Sequence, residues 1–269
     1  MKINSVTSES NTSLKLVRAL HKRANREKEQ LFLMEGIHCM QEACSRNLEL
    51  ATVVASSTYM QNNGMDELLA LKLEAVTVVE DKLFSELMTT TSSCGVLALA
   101  KIPREDRAAV PRWTPQLILV ADAIQDPGNL GTLFRSALAA EMGGVILMRG
   151  CVDPYNPKVV RAAAGALFDL PIVSDLVPEE LISLLRSNAY RLVVATAGES
   201  VHYFDCKLSE KVAIVLGNEG QGINPELYAA ADERISIPMN PKSESLNVAI
   251  SGGIILFETY RQRLSPNKI

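Results

Sequence analysis

The sequence predicts an α/β protein of two domains, the second built on a parallel sheet. Three observations predict it. Short apolar runs alternate with helical stretches along the whole chain. In the second half several runs, among them QLILVADAI, GVILMRG and KVAIVLGNE, are continuously apolar, as strands buried on both faces of a parallel sheet are. A charged stretch with three prolines, KIPREDRAAVPRWTP at 101–115, interrupts the alternation and reads as a connection. The expected organisation is a first domain over 1–105, a linker over 106–115 and a second domain over 116–269.

Taken in order, LKLVRALHKRANREK reads as one helix, QLFLMEG as a strand and IHCMQEACSR as a helix. LATVVASS, AVTVVE and GVLALAKI are the remaining strands of the first domain, with helices MDELLALKL and DKLFSELM between them. Past the break, QLILVADAI, GVILMRG, PIVSD, RLVVATA, KVAIVLGNE and ERISIPM read as strands. Between them GTLFRSALAAE, PKVVRAAAGALFD, PEELISLLRSNA and NPELYAAAD read as helices. A long last helix is expected from Ser245 to about Arg263, with Leu246, Ile250, Ile254 and Phe257 as its apolar face. In such an open sheet, ligands are expected at the carboxyl ends of the strands.

Composition narrows the function. Hydrophobic residues make up 47% and charged residues 22%, a globular balance. A net charge of −4 gives no overall basic field. The five cysteines (Cys39, Cys44, Cys94, Cys151, Cys206) form no C-x-x-C pair, and His21, His38 and His202 are far apart, so neither a metal site nor a disulfide framework is expected. The polar start MKINSVTSESNTS has no secretory core and no run has the length of a membrane span, so a cytoplasmic protein is expected.

Three polar clusters follow strands of the second domain. They are N-x-G-T-x-x-R-S-A from Asn129, L-G-N-E-G-x-G-I from Leu216, and I-P-M-x-x-x-x-x-S-L-N-V-A-I-S from Ile237. Each alone has a plain reading: a surface arginine at Arg135, a glycine turn at 217–222, and an N-cap at Ser245. No Rossmann or P-loop pattern is present to support another nucleotide-dependent enzyme.

In order and spacing the three clusters resemble the motifs of the SpoU (TrmH-like) RNA 2′-O-ribose methyltransferases of the SPOUT superfamily, over residues 116–264. The first domain is similar to that family's L30e-like substrate-binding domain through SLKLVRALHKRANREKEQLFLMEG and the later S-x-C-G-V-L-A-L, with Ser93-Cys94 standing where the family usually has proline-glutamine. The resemblance implies a deep trefoil knot in the parallel-sheet domain, S-adenosyl-L-methionine as cofactor without metal, RNA as substrate and a homodimer.

It also implies roles. Arg135 matches the catalytic arginine, Asn129 orients it or the substrate, and Ser245 with Asn247 flanks the reacting ribose. Glu219 matches the acid of the second motif, in either a catalytic or a structural role. Thr196, Ala197, Gly198, Leu216, Gly217, Asn218, Gly220, Ile237, Met239 and Leu246 would line the cofactor pocket, mostly through main chain. Arg161 matches an arginine near the RNA, and Ala163 or Ala164 replaces a frequent serine. On a continuous first helix Lys15, Arg18, Lys22 and Arg26 fall within an arc of roughly 80°, an expected phosphate-reading stripe. The two-domain layout favours 23S rRNA over tRNA as substrate. A non-catalytic RNA-binding or ribosome-assembly factor of the same fold is the other reading.

Overall fold

The computed structural model describes residues 1–88, 94–197, 200–218, 220–243 and 245–264. They form two compact units, one of Met1–Pro103 with Asp153–Phe168, the other of Arg104–Val152 with Asp169–Ile269.

The first unit holds a five-stranded sheet. Its strands are β1 (Lys2–Val6), β2 (Leu31–Glu35), β3 (Leu50–Ser56), β4 (Ala75–Val79) and β5 (Val96–Lys101), in the order β1-β4-β3-β5-β2. β4 runs parallel to β1 and β3, whereas β5 is antiparallel to β3 and β2. Its helices are α1 (Thr12–Ala19), α2 (Arg23–Glu29), α3 (Ile37–Ser45), α4 (Ser57–Tyr59), α5 (Met65–Ala70) and α6 (Asp81–Ser85). β1 was hidden in a segment read only as polar, and it is mostly exposed at the sheet edge.

The single first helix of the sequence reading is two. α1 closes at Leu20, and Lys22 is extended before α2 begins. Carbonyls at a helix end lack partners of their own, and Arg26 supplies them: its Nη1 donates to Leu20 O at 2.7 Å and His21 O at 3.0 Å. Its Nε donates to Asp153 Oδ2 at 2.7 Å. Arg26 is 2% exposed, so it leaves the expected basic stripe and becomes a buried anchor.

The second unit holds seven parallel strands: β6 (Leu117–Ala121), β7 (Gly144–Met148), β8 (Ile172–Leu176), β9 (Arg191–Ala195), β10 (Val201–His202), β11 (Val212–Leu216) and β12 (Glu233–Ser236). Their order is β10-β12-β9-β11-β6-β7-β8. Every residue of β6, β7 and β11 is buried, which is why these runs are apolar without alternation. β10, an edge strand of two residues, gave no periodic signal.

The remaining helices of the chain are α7 (Pro127–Ala139), α8 (Pro157–Ala163), α9 (Pro178–Ser187), α10 (Pro225–Ala230) and α11 (Val248–Leu264), of which α8 lies in the first unit. α7, α8 and α10 start alike. Asp126, Asn156 and Asn224 each accept a backbone N–H of the first turn, and a proline fills the next position, where no N–H is needed.

Two stretches lie elsewhere than the linear reading put them. Residues 104–113 pack on the second unit: Val110 and Trp113 are buried in its core, and Arg107 Nη2 donates to Ser174 O at 3.1 Å. Residues 153–168, which carry α8, belong to the first unit. There the ring of Tyr155 lies 5.1 Å from that of Phe32, and Arg161 Nη1 is 3.8 Å from Glu35 Oε2.

The last helix begins at Val248, with Asn247 rather than Ser245 as its cap. Asn247 Oδ1 accepts from the N–H groups of Ala249 and Ile250 at 3.0 and 3.3 Å. Its buried face differs from the expected one. Val248, Ala249, Gly252, Ile255, Leu256 and Thr259 are buried, whereas Ile250 and Phe257 are 56% and 48% exposed. A Cβ on Gly252 would lie 2.4 Å from Leu133 Cδ2, so the small residue brings α11 onto α7, and Ile250 and Phe257 turn outward.

Candidate functional site

In the chain, β6 leads to β7 and β8 on one side of the sheet, while β11, β9 and β12 lie on the other. The strand order therefore reverses beside β6, and the loops leaving β6 and β11 meet there. Crevices at such points take ligands in open α/β sheets.

The loop after β11 is shaped by Asn218. Its N–H donates to Gly222 O at 2.9 Å and its carbonyl accepts from Gly222 N at 2.8 Å, closing a tight loop. The side-chain Oδ1 accepts from Gly220 N at 2.8 Å and Gln221 N at 3.1 Å. Its Nδ2 donates to Ala123 O at 2.8 Å, tying this loop to the one after β6. Gly217 is obligatory here, since a Cβ would lie 2.5 Å from Gly222 O. Gly222 has φ +72°, in the left-handed region that side chains disfavour.

A second tie lies below. Asp122, 6% exposed, accepts from Asn224 N at 2.6 Å through Oδ2. Burial raises its pKa above the ordinary carboxylate value, and the Asn224 bond opposes the rise. Nearby, burial lifts the Cys151 thiol to about 11, and in the first unit it lifts Cys39 to about 12. Neither is a thiolate near neutrality. Among the described residues no three His, Cys, Asp or Glu side chains converge as a metal-ligating group.

These loops wall a cavity of about 380 Å³ at the carboxyl ends of β9, β11 and β12. Of the residues expected at the cofactor, Thr196, Ala197, Leu216, Gly217, Asn218, Ile237, Met239 and Leu246 line it. Gly220 is not among the lining residues, and Gly198 lies outside the described residues. Ser245 joins the wall. Asn247, between lining residues Leu246 and Val248, donates from Nδ2 to Asn129 Oδ1 at 3.0 Å. Asn129 is itself seated at the start of α7, its N–H on Asp126 Oδ1 at 2.8 Å. The first and third motifs therefore meet, although 118 residues separate the two asparagines.

Arg135 stands on α7 with its side chain exposed. Glu219 lies outside the described residues. In the first unit Lys15 and Lys22 are exposed, and Arg18 donates to Glu9 O at 3.0 Å with Glu86 at 3.8 Å.

Sequence reasoning missed Ala195, Ile223, Tyr228, Ile235, Val248, Ser251 and Ile255 as lining residues. Ser251 and Ile255 stand four and eight residues after Asn247, on the helix face that faces inward. That spacing was a usable signal, masked by the larger residues at 250, 254 and 257. Nothing in the sequence marked Tyr228.

Comparison with known proteins agrees with this geometry. Residues 116–257 match the SpoU rRNA Methylase family, and residues 11–98 match an MRM3-like substrate binding domain. The 23S rRNA (guanosine(2553)-2'-O)-methyltransferase RlmP of Bacillus subtilis is 30% identical over 94% of this chain and 97% of its own. The SpoU methyltransferase AviRb from Streptomyces viridochromogenes, solved in complex with the cofactor AdoMet, superposes with a TM-score of 0.87 at 27% identity, over 95% and 99% of the two chains. An AdoMet-bound rRNA methyltransferase from Sinorhizobium meliloti gives 0.83 at 29% identity, over 97% and 98%. The chain belongs to the SpoU rRNA methylase family.

Proposed function

We propose that this protein transfers a methyl group from S-adenosyl-L-methionine to a ribose 2′-hydroxyl of 23S rRNA. The observation that carries the reading is the convergence of the second and third motif loops on one cavity, with the first motif's Asn129 bonded to Asn247 at its edge. The cavity is in the size range of small-ligand sites, its walls are largely apolar, and Gly217 and Gly222 let a ligand lie against main chain. That character fits an adenosine with a short polar tail.

The cofactor supplies an electrophilic methyl on a sulfonium sulfur. The protein's part is to hold the attacking hydroxyl in line with it and to assist loss of its proton. Arg135 carries a guanidinium, a poor general base. It binds the phosphate beside the target ribose and stabilises the developing alkoxide. Asn129 orients the ribose from the start of α7, Ser245 and Asn247 hold its other side, and Glu219 braces the loop after β11 or shares in proton transfer. No metal takes part. Exposed Lys15 and Lys22, with half-buried Arg18 and with Arg161 on α8, supply phosphate contacts. Exposed Ile250 and Phe257 on α11 support a homodimer. A trefoil knot is part of the same proposal, supported by the crossing of the chain from β11 over β9 to β12.

Mapping 2′-O-methyl groups on rRNA and tRNA from cells with and without the protein tests the reading. Loss of one 23S rRNA methyl is expected. Loss confined to tRNA would move the substrate, and no loss in either would leave a non-catalytic RNA-binding factor.

A further inference from the structure

Tyr228 is the one aromatic side chain among the described residues that line the cavity, and it is 38% exposed. It stands on the last turn of α10 and is held from behind. The guanidinium carbon of Arg234 lies 4.6 Å from the centre of its ring, within cation–π range. Arg234 Nη2 also donates to the carbonyl of Tyr228 at 2.8 Å. Arg234 belongs to β12, in register with Val194 of β9, so a sheet strand fixes the ring. The Nε of Arg234 is buried and has no hydrogen-bond partner among the described residues. Leaving such a donor unsatisfied is costly. A site that maintains an arginine behind one tyrosine at that cost points to a use for the ring.

We propose that Tyr228, backed by Arg234, is the wall on which the adenine base of S-adenosylmethionine stacks. The inference rests on the cofactor reading above. The ligand has three parts with different demands. Its amino-acid tail carries a carboxylate and an ammonium, and polar partners for it are on Thr196, Asn218, Ser245 and Ser251. Its ribose can bond to main chain. Its purine is flat and aromatic, and gains most against another ring. Arg234 occupies one face of the Tyr228 ring and withdraws electron density from it, which favours an offset stack with the electron-rich purine on the cavity side. Ile223 and Ile235 complete an apolar slot of the kind a purine needs. Tyr228 touches the ligand, and Arg234 is its positioning residue.

Calorimetric titration of the full chain with S-adenosylmethionine, S-adenosylhomocysteine and 5′-methylthioadenosine tests this. The last compound keeps the adenosine and lacks the amino-acid tail. Tyr228→Phe keeps the ring and should stay within about twofold of wild type for all three. Tyr228→Leu should weaken all three by a common factor of roughly tenfold. Arg234→Gln should weaken all three by a smaller common factor, and it carries the test if Tyr228→Leu does not fold. Wild-type affinity in both variants would overturn the proposal. So would weakening for the two tailed ligands but not for 5′-methylthioadenosine, because the ring would then meet the tail. Failure of the wild type to bind any of the three would remove the cofactor reading itself, and the stacking proposal with it.

Discussion

Asn247 donates its side-chain amide to Asn129 at 3.0 Å while its carbonyl oxygen caps α11. One side chain therefore performs two tasks, and they can be separated. Asn247→Ser keeps a capping oxygen but is too short to reach Asn129, so thermal stability should hold and methyl transfer should fall. Asn247→Ala should in addition cost about 1 kcal/mol of stability. In a double-mutant cycle of activity, Asn129→Ala added to Asn247→Ser should cost less than Asn129→Ala alone. Fully additive losses would mean that the bond has no part in the reaction.

Arg135 is exposed and lies outside the cavity wall, a position that supports the RNA-side role proposed for it. Arg135→Ala should abolish methyl transfer and leave the affinity for S-adenosylmethionine and the melting temperature nearly unchanged. Rates near wild type would remove this residue from the mechanism. Arg135→Lys should recover only part of the activity, because a point charge does not reproduce the planar fork.

Gly217→Ala should be far worse than Gly222→Ala. The first places a Cβ 2.5 Å from the Gly222 carbonyl oxygen, which is backbone and cannot step aside. The second meets no atom within 4 Å and strains only a left-handed residue, at about 1 kcal/mol. Calorimetry should show cofactor binding lost in the first and weakened only slightly in the second.

The basic residues of the first two helices divide by burial. Replacing Arg26 by Met strands Asp153, whose side chain is only 12% exposed, and should destabilise the protein by about 3–5 kcal/mol in urea unfolding. Replacing Lys15 and Lys22 together by Gln should leave stability alone, weaken RNA binding, and lower its salt slope by about two. An unchanged slope would place the RNA on another surface.

Glu258 on α11 gives an acid-side dependence. Bonds from Arg261 Nε and Nη2, both 2.7 Å, hold its carboxyl below the ordinary 4.5, with burial opposing and Gln262 at 2.9 Å assisting. A carboxyl whose folded pKa is depressed stabilises fully above its unfolded value, and that contribution disappears as pH falls through the folded one. The urea midpoint of wild type should therefore fall below about pH 4.5 more steeply than that of Glu258→Gln.

The sequence by itself determined the strands of the second unit other than β10, and where their ligand should lie. β6, β7 and β11 were legible because strands buried on both faces must be apolar throughout. The starts of α8 and α10 are encoded by an Asn before proline, a local interaction that needs no partner element; the same device starts α7 at Pro127, ahead of the expected Gly131. The loop motifs were legible through their resemblance to the SpoU methyltransferases, and the close approach of Gly217 to the Gly222 carbonyl gives one physical reason for their glycines. Only the tertiary structure decided what depends on contacts distant in sequence. A helical wheel places Arg26 beside Lys22, but two freed carbonyls and Asp153, 127 residues away, take its guanidinium inside. The wheel of α11 likewise favours Ile250 and Phe257 as its inner face, and Gly252 reverses it by fitting against Leu133. Tyr228, on helix α10, meets the guanidinium of Arg234, on strand β12, a pairing that no periodicity of either element records. Periodicity records which residues share a face. Which face turns inward is set by the surface that the neighbouring element presents.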